Sequence, residues 1–189
     1  MKLHYMGKYN LDPDSLPSNG HQPGAVPFKE AKDSKTLGII ANAIALLLAV
    51  PLMIAVWLRC DADFLSVLIG AALSMLILFP HELLHAVCFK EDVYLYTNLK
   101  QGTLFVVGPE TMSKGRFIFM SLLPNIVFGF IPFAAAMIFP KLSVFGFFGA
   151  LSISAGAGDY YNVFNALTQM PKGARTYLHK FNSFWYMPE

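Results

Sequence analysis

The chain of 189 residues is 55% hydrophobic and only 14% charged, with a formal net charge of +2. That is the length of one domain, apolar-rich and charge-poor beside an ordinary soluble one. The scattered lysines and arginines exclude a nucleic-acid binder built on a basic face. Two cysteines, Cys60 and Cys88, are too few for a disulfide framework or a four-thiolate zinc site and read as plain apolar residues.

Residues 1–36 are polar and broken by Pro13, Pro17, Pro23 and Pro27, so they read as a mostly extended cytoplasmic tail that buries too little to offset ordering. From Leu37 to Leu58 run 22 residues without a charge. At about 1.5 Å per residue they span roughly 33 Å, enough for a hydrocarbon core of about 30 Å. Pro51 can kink this first span. Residues 64–89 form a second span, apolar apart from Ser66, Ser74 and the group His81, Glu82 and His85. Residues 93–107 interleave apolar and polar side chains around Gln101-Gly102, which predicts a short hairpin, with a simple loop as the other reading. Residues 117–139 make a third span, and residues 142–170 a fourth that turns polar from Asp159 onward.

The expected fold is an all-α polytopic membrane protein, with four transmembrane helices and a short cytoplasmic β-hairpin between helices two and three. Residues 37–189 form its membrane domain. Twelve of the 14 lysines and arginines fall in the tail, in the loop between spans two and three, or after span four, leaving Arg59 and Lys141 on the other face. By the positive-inside rule both termini are cytoplasmic in a multi-pass protein of the cell membrane, with the bilayer as its partner.

His81-Glu82-Leu83-Leu84-His85 matches H-E-x-x-H. A helix puts positions i and i+4 on one face, so both imidazoles reach one zinc ion while Glu82 sits beside them, as in a metalloprotease helix. Three ionisable side chains inside an apolar span are costly unless paired, solvated or holding a metal. Hydrogen-bonded core histidines or an interfacial helix end are the bland alternative.

Two histidines leave zinc short of at least one protein ligand. His4, His21 and His179 lie outside the spans, and His179 reads as a surface residue of an aromatic tail with Phe181, Phe184, Trp185 and Tyr186. Asp159 is the better candidate. It is the charged residue of the fourth span, it follows the small-residue run SISAGAG, and its depth matches that of His85 within a turn or two. Capping of a broken helix is its alternative role. Asn162, Asn165 and Gln169 form a polar stripe that lines a water path or meets the cytoplasmic interface. Asn125, after Pro124 in span three, is a candidate to bond a substrate or a metal ligand, or to fasten helices together. Asn162 is the other candidate for such a supporting place.

HELLHA closing a span, MSLLPN in the next and SAGAGDYYN in the last resemble the small bacterial membrane proteins described as putative zincin peptidases, over roughly residues 64–189. More distantly the chain resembles the site-2 protease clan. That resemblance implies zinc held by His81, His85 and Asp159, Glu82 as general base, and a membrane protein or peptide as substrate. Site-2 proteases carry the aspartate before a glycine, whereas here it stands in Gly158-Asp159-Tyr160. The expected activity is metal-assisted peptide hydrolysis in or beside the membrane, with the hairpin edge holding an extended substrate. The rival is a non-enzymatic membrane protein, a zinc-stabilised scaffold or metal carrier, which needs the metal ligands but not Glu82.

Overall fold

A computed structural model describes residues 1–98, 103–180 and 182–189. In chain order its elements are β1 (Leu3–Lys8), β2 (Val26–Pro27), α1 (Ser34–Arg59), α2 (Phe64–Leu76), α3 (Leu78–Ala86), β3 (Val93–Asn98), β4 (Thr103–Val107), β5 (Met112–Ser113) and α4 (Lys114–Pro124). A π-helical segment, Asn125–Phe130, joins α4 to α5 (Ile131–Ile138). Then come α6 (Ser143–Ala155), α7 (Ala157–Gln169), β6 (Arg175–His179) and β7 (Asn182–Tyr186).

The chain divides into two compact units. One consists of residues 31–81 and 121–161 and is helical. Asp33 caps α1, its carboxylate accepting the Thr36 N–H at 2.8 Å. Asp63 and Ser66 close a reciprocal capping box on α2, so two orphan donors at that helix start are satisfied. Val56, Cys60, Ala136, Phe147 and Ala150 form the buried core of this unit. Much of α1 faces outward: Leu47 is 75% exposed and Leu58 80%, a surface that suits hydrocarbon rather than water.

The other unit consists of residues 1–30, 82–120 and 162–189 and carries both sheets. In the first sheet β3 is central, parallel to β1 from Leu3–Val93 to Lys8–Thr97 and antiparallel to β4 from Tyr94–Val107 to Asn98–Thr103. Tyr96 stacks on Phe105 across that register, with Tyr9 set edge-on to both rings. The second sheet has the order β2-β7-β6-β5. The two polar atoms of the Gln169 amide clasp the Lys29 backbone, Oε1 accepting its N–H at 2.6 Å and Nε2 donating to its carbonyl at 3.2 Å. Lys114 Nζ donates to the Leu167 and Met170 carbonyls, where a cation suits the C-terminal end of α7.

Three expectations change. The chain is mostly helical, but among the described residues seven strands in two sheets replace the all-α class with one hairpin. The residues read as an unpacked tail supply β1 and β2 and bury Tyr9, Leu16 and Phe28, because their partners, β3 and β7, lie far along the chain. Of the four expected spans, the described residues show two helices long and apolar enough to cross a bilayer, Lys35–Arg59 and Lys114–Ile138, or three if the pair α2 and α3, bent by 42°, crosses as one. That composition makes this a membrane-associated chain. The fourth span is interrupted at Gly156, between α6 and α7. The expected hairpin is present as β3 and β4, whereas its Gln101-Gly102 turn lies outside the described residues, as does Phe181.

Candidate metal centre

The nine residues of α3 carry the H-E-x-x-H motif. The helix begins beyond the bend at Ile77, and the His81 N–H reaches back to the Ile77 carbonyl at 2.8 Å, so the motif lies on a regular turn. His81 and His85 therefore stand one turn apart on one face.

Asp159 lies in the first turn of α7, where the positive end of the helix dipole favours a carboxylate. Its Oδ2 is 3.3 Å from His81 Nε2 and accepts the Asn125 Nδ2–H at 2.8 Å. Asn125 is 1% exposed, donates also to the Ser121 carbonyl at 3.2 Å, and accepts the Tyr160 hydroxyl at 3.3 Å.

His85 Nδ1 is 2.9 Å from the Met120 carbonyl. A carbonyl only accepts, so Nδ1 carries the proton, and Nε2 is the nitrogen that a neutral His85 offers to a metal. The ligand atoms offered by His81, His85 and Asp159 lie within 4.8 Å of one another. Two donors on a tetrahedral ion with bonds of about 2.0 Å stand roughly 3.3 Å apart, which the His81–Asp159 separation matches. Two neutral imidazoles and one carboxylate are a zinc donor set that leaves a fourth position for water or substrate. The residues fit the ion.

A family model described as putative zincin peptidase matches residues 74–175, just over half of the chain. The chain belongs to that family. The matched stretch includes His81, Glu82, His85, Asn125 and Asp159. Membership carries zinc and metallopeptidase activity at the level of the family. Comparison with curated proteins and with solved structures finds no match.

Glu82 projects from the same helix, and its Oε2 accepts the Val106 N–H of β4 at 3.0 Å. Past the end of α3 a second polar cluster holds the chain. Arg116 Nε and Nη2 donate to the Cys88 carbonyl at 2.9 and 2.5 Å, and its Nη1 pairs with Glu110. Glu110 Oε2 accepts the N–H groups of Lys90 and Glu91 at 2.6 and 3.0 Å. Burial works to raise the Glu110 pKa, but bonds from Arg116 and those two amides outweigh it and hold the carboxyl below its usual value.

The remaining polar candidates have other surroundings. Asn162 borders a void with no room for water, beside Phe28, Glu30, Phe117, Asn165 and Ser183. Asn165 Oδ1 accepts from Gln169, so part of the expected stripe fastens the segment around Lys29. His179 meets His21 with ring centroids 4.0 Å apart and planes tilted by 37°, and its Nδ1 donates to the Asn19 carbonyl. The sequence reading missed the partners Met120, Val106, Tyr160 and Arg116. Two of these contacts use backbone groups that any residue supplies, so side-chain identity gave no signal. Pro124 did carry one, since a proline inside a helix leaves a carbonyl without its usual partner.

Proposed function

We propose that this protein is a membrane-embedded zinc metalloprotease that hydrolyses peptide bonds in or near the bilayer. The reading is carried by His81, His85 and Asp159 each turning a ligand atom to one locus, with Glu82 next to His81 on the same helix. His81, His85 and Asp159 would hold the zinc. When bound, it supplies a Lewis acid that polarises a carbonyl and lowers the pKa of coordinated water toward about 7.

Glu82 takes the proton from the attacking water and returns it to the leaving amine. The hydrogen bond from Val106 fixes one of its oxygens. The strand that supplies this bond, β4, is an edge of its sheet, which suits it to receive an extended substrate by strand addition, and a helical membrane substrate must unwind to offer one. The lysine and arginine distribution supports a multi-pass arrangement with both termini cytoplasmic. The bilayer and a membrane protein or peptide are then its partners.

The test is zinc analysis of detergent-purified protein with and without Asp159→Ala, followed by cleavage of a membrane-inserted peptide. One zinc per chain, lost on the substitution, together with cleavage abolished in Glu82→Gln is the expected result. Zinc without cleavage by the parent would instead make the protein a zinc-stabilised scaffold, and no zinc in the parent would refute the metal reading.

A further inference from the structure

Pro124 and Asn125 stand side by side where α4 gives way to the π-helical segment, and both are almost completely buried. Each bears on a different member of the metal site.

In an α-helix the carbonyl of residue 120 is taken by the N–H of residue 124. Residue 124 is proline and has no N–H, so the Met120 carbonyl loses its usual partner. His85 Nδ1 bonds that carbonyl at 2.9 Å. The proline thus provides the acceptor that fixes the tautomer of His85 with Nε2 unprotonated.

Asn125 acts by supplying a donor. Both partners of its Nδ2, the Ser121 carbonyl and Asp159 Oδ2, are pure acceptors, while the Tyr160 hydroxyl donates to its Oδ1, so the amide has one orientation. The bond to a carboxylate is of the stronger, charge-assisted kind. Room for the amide comes from Gly156: a Cβ there would fall 1.7 Å from Asn125 Oδ1, so the helix break before α7 must carry a residue without a side chain. Departures to π geometry recur at functional sites, and here one begins at Asn125, directly after Pro124.

We infer that Pro124 and Asn125 are paired positioning residues for the metal centre, Pro124 by freeing the Met120 carbonyl for His85 and Asn125 by orienting the Asp159 carboxylate toward His81. This rests on the reading that His81, His85 and Asp159 bind zinc. Asparagines buried in apolar helices also fasten helices together, and that role alone affects stability without affecting the metal.

The two roles separate in one experiment on the detergent-purified full chain: zinc affinity by competition with a chelating dye, and melting temperature with and without zinc. Pro124→Ala restores an N–H that competes for the Met120 carbonyl and removes a helix breaker. It should melt no lower than the parent when metal-free, yet bind zinc roughly 10-fold more weakly. Asn125→Leu should weaken zinc by roughly 10- to 100-fold. Tyr160→Phe, which loosens the amide while leaving it in place, should weaken zinc less than Asn125→Leu and keeps the asparagine arm testable if that variant does not fold. Zinc affinity within about twofold of the parent in Pro124→Ala and in either asparagine-arm variant would overturn the inference while leaving the zinc reading intact. A parent that binds no zinc would overturn both, and the parent measurement alone tells the cases apart.

Discussion

The Glu82 carboxylate is bonded to the Val106 backbone: its Oε2 accepts that N–H at 3.0 Å, tying the acidic residue of the H-E-x-x-H helix to an edge strand. The bond needs only an acceptor oxygen, which glutamine also offers. Glu82→Gln is therefore expected to keep the fold and the zinc while losing cleavage by about 10²- to 10⁴-fold, the usual weight of a general base. Metal content, circular dichroism and turnover of a membrane peptide check the three parts. Cleavage at the parent rate would remove Glu82 from the mechanism.

Arg116 holds two partners at once, the Cys88 carbonyl just beyond α3 and the buried carboxylate of Glu110. Arg116→Ala leaves that carboxylate with backbone donors only and no counter-charge. A loss of about 3 kcal/mol is expected, as for breaking a buried pair from one side. Denaturant or thermal unfolding in detergent measures it, and a change under about 0.5 kcal/mol would mean the pair is no more than a surface contact.

Glu110 also gives the protein an acid-sensitive stability. Its folded-state pKa lies below the ordinary glutamate value of 4.5, because Arg116 and the amides of Lys90 and Glu91 outweigh the effect of burial. A depressed acid stabilises the fold fully above its unfolded pKa and loses that contribution as pH falls through the folded value. The melting temperature of the parent should therefore decline below about pH 4.5. Glu110→Gln should be less stable at pH 7 and show a shallower decline, and parallel curves would contradict the assignment.

Gly149 lies where α6 packs closely against α5 and the π-helical segment before it. A Cβ there would sit 2.5 Å from the Phe133 N and 2.7 Å from the Gly129 O, backbone atoms that cannot turn aside. Gly149→Ala should cost about 1–3 kcal/mol through overpacking. Gly115, where the added carbon meets nothing within 4 Å, is the control and should be neutral or slightly stabilising as alanine. Equal melting temperatures for the two variants would count against the close approach.

The site was legible in the sequence to the extent that it rests on spacing and on scarcity of charge. His81 and His85 recur at the helical period, and Asp159 is a charge in an otherwise apolar stretch. The supporting contacts were less legible, since Met120 and Val106 act through their backbones. The bend at Ile77 has its signal in Pro80, which offers no N–H to the Leu76 carbonyl and so breaks the helical ladder there, although the stretch reads as one apolar span. The sheets were hardest to read. Tyr9, Leu16 and Phe28 are single apolar residues among prolines and polar side chains, with no period of their own, and they become core only through strands distant in the chain. The pairing of β2 includes Pro27, which removes the donor a strand pattern relies on and is tolerated because β2 is an edge.

The parallel pairing of β1 with β3 imposes a schedule on biosynthesis. Leu3 is translated ninety residues ahead of Val93, and α1, α2 and α3 are all made in the interval. Until the ribosome reaches Val93, β1 has no template, and closing so long a loop delays its docking further. β1 is thus made well before it can settle, while three helices that need no distant partner strand are already available to fold.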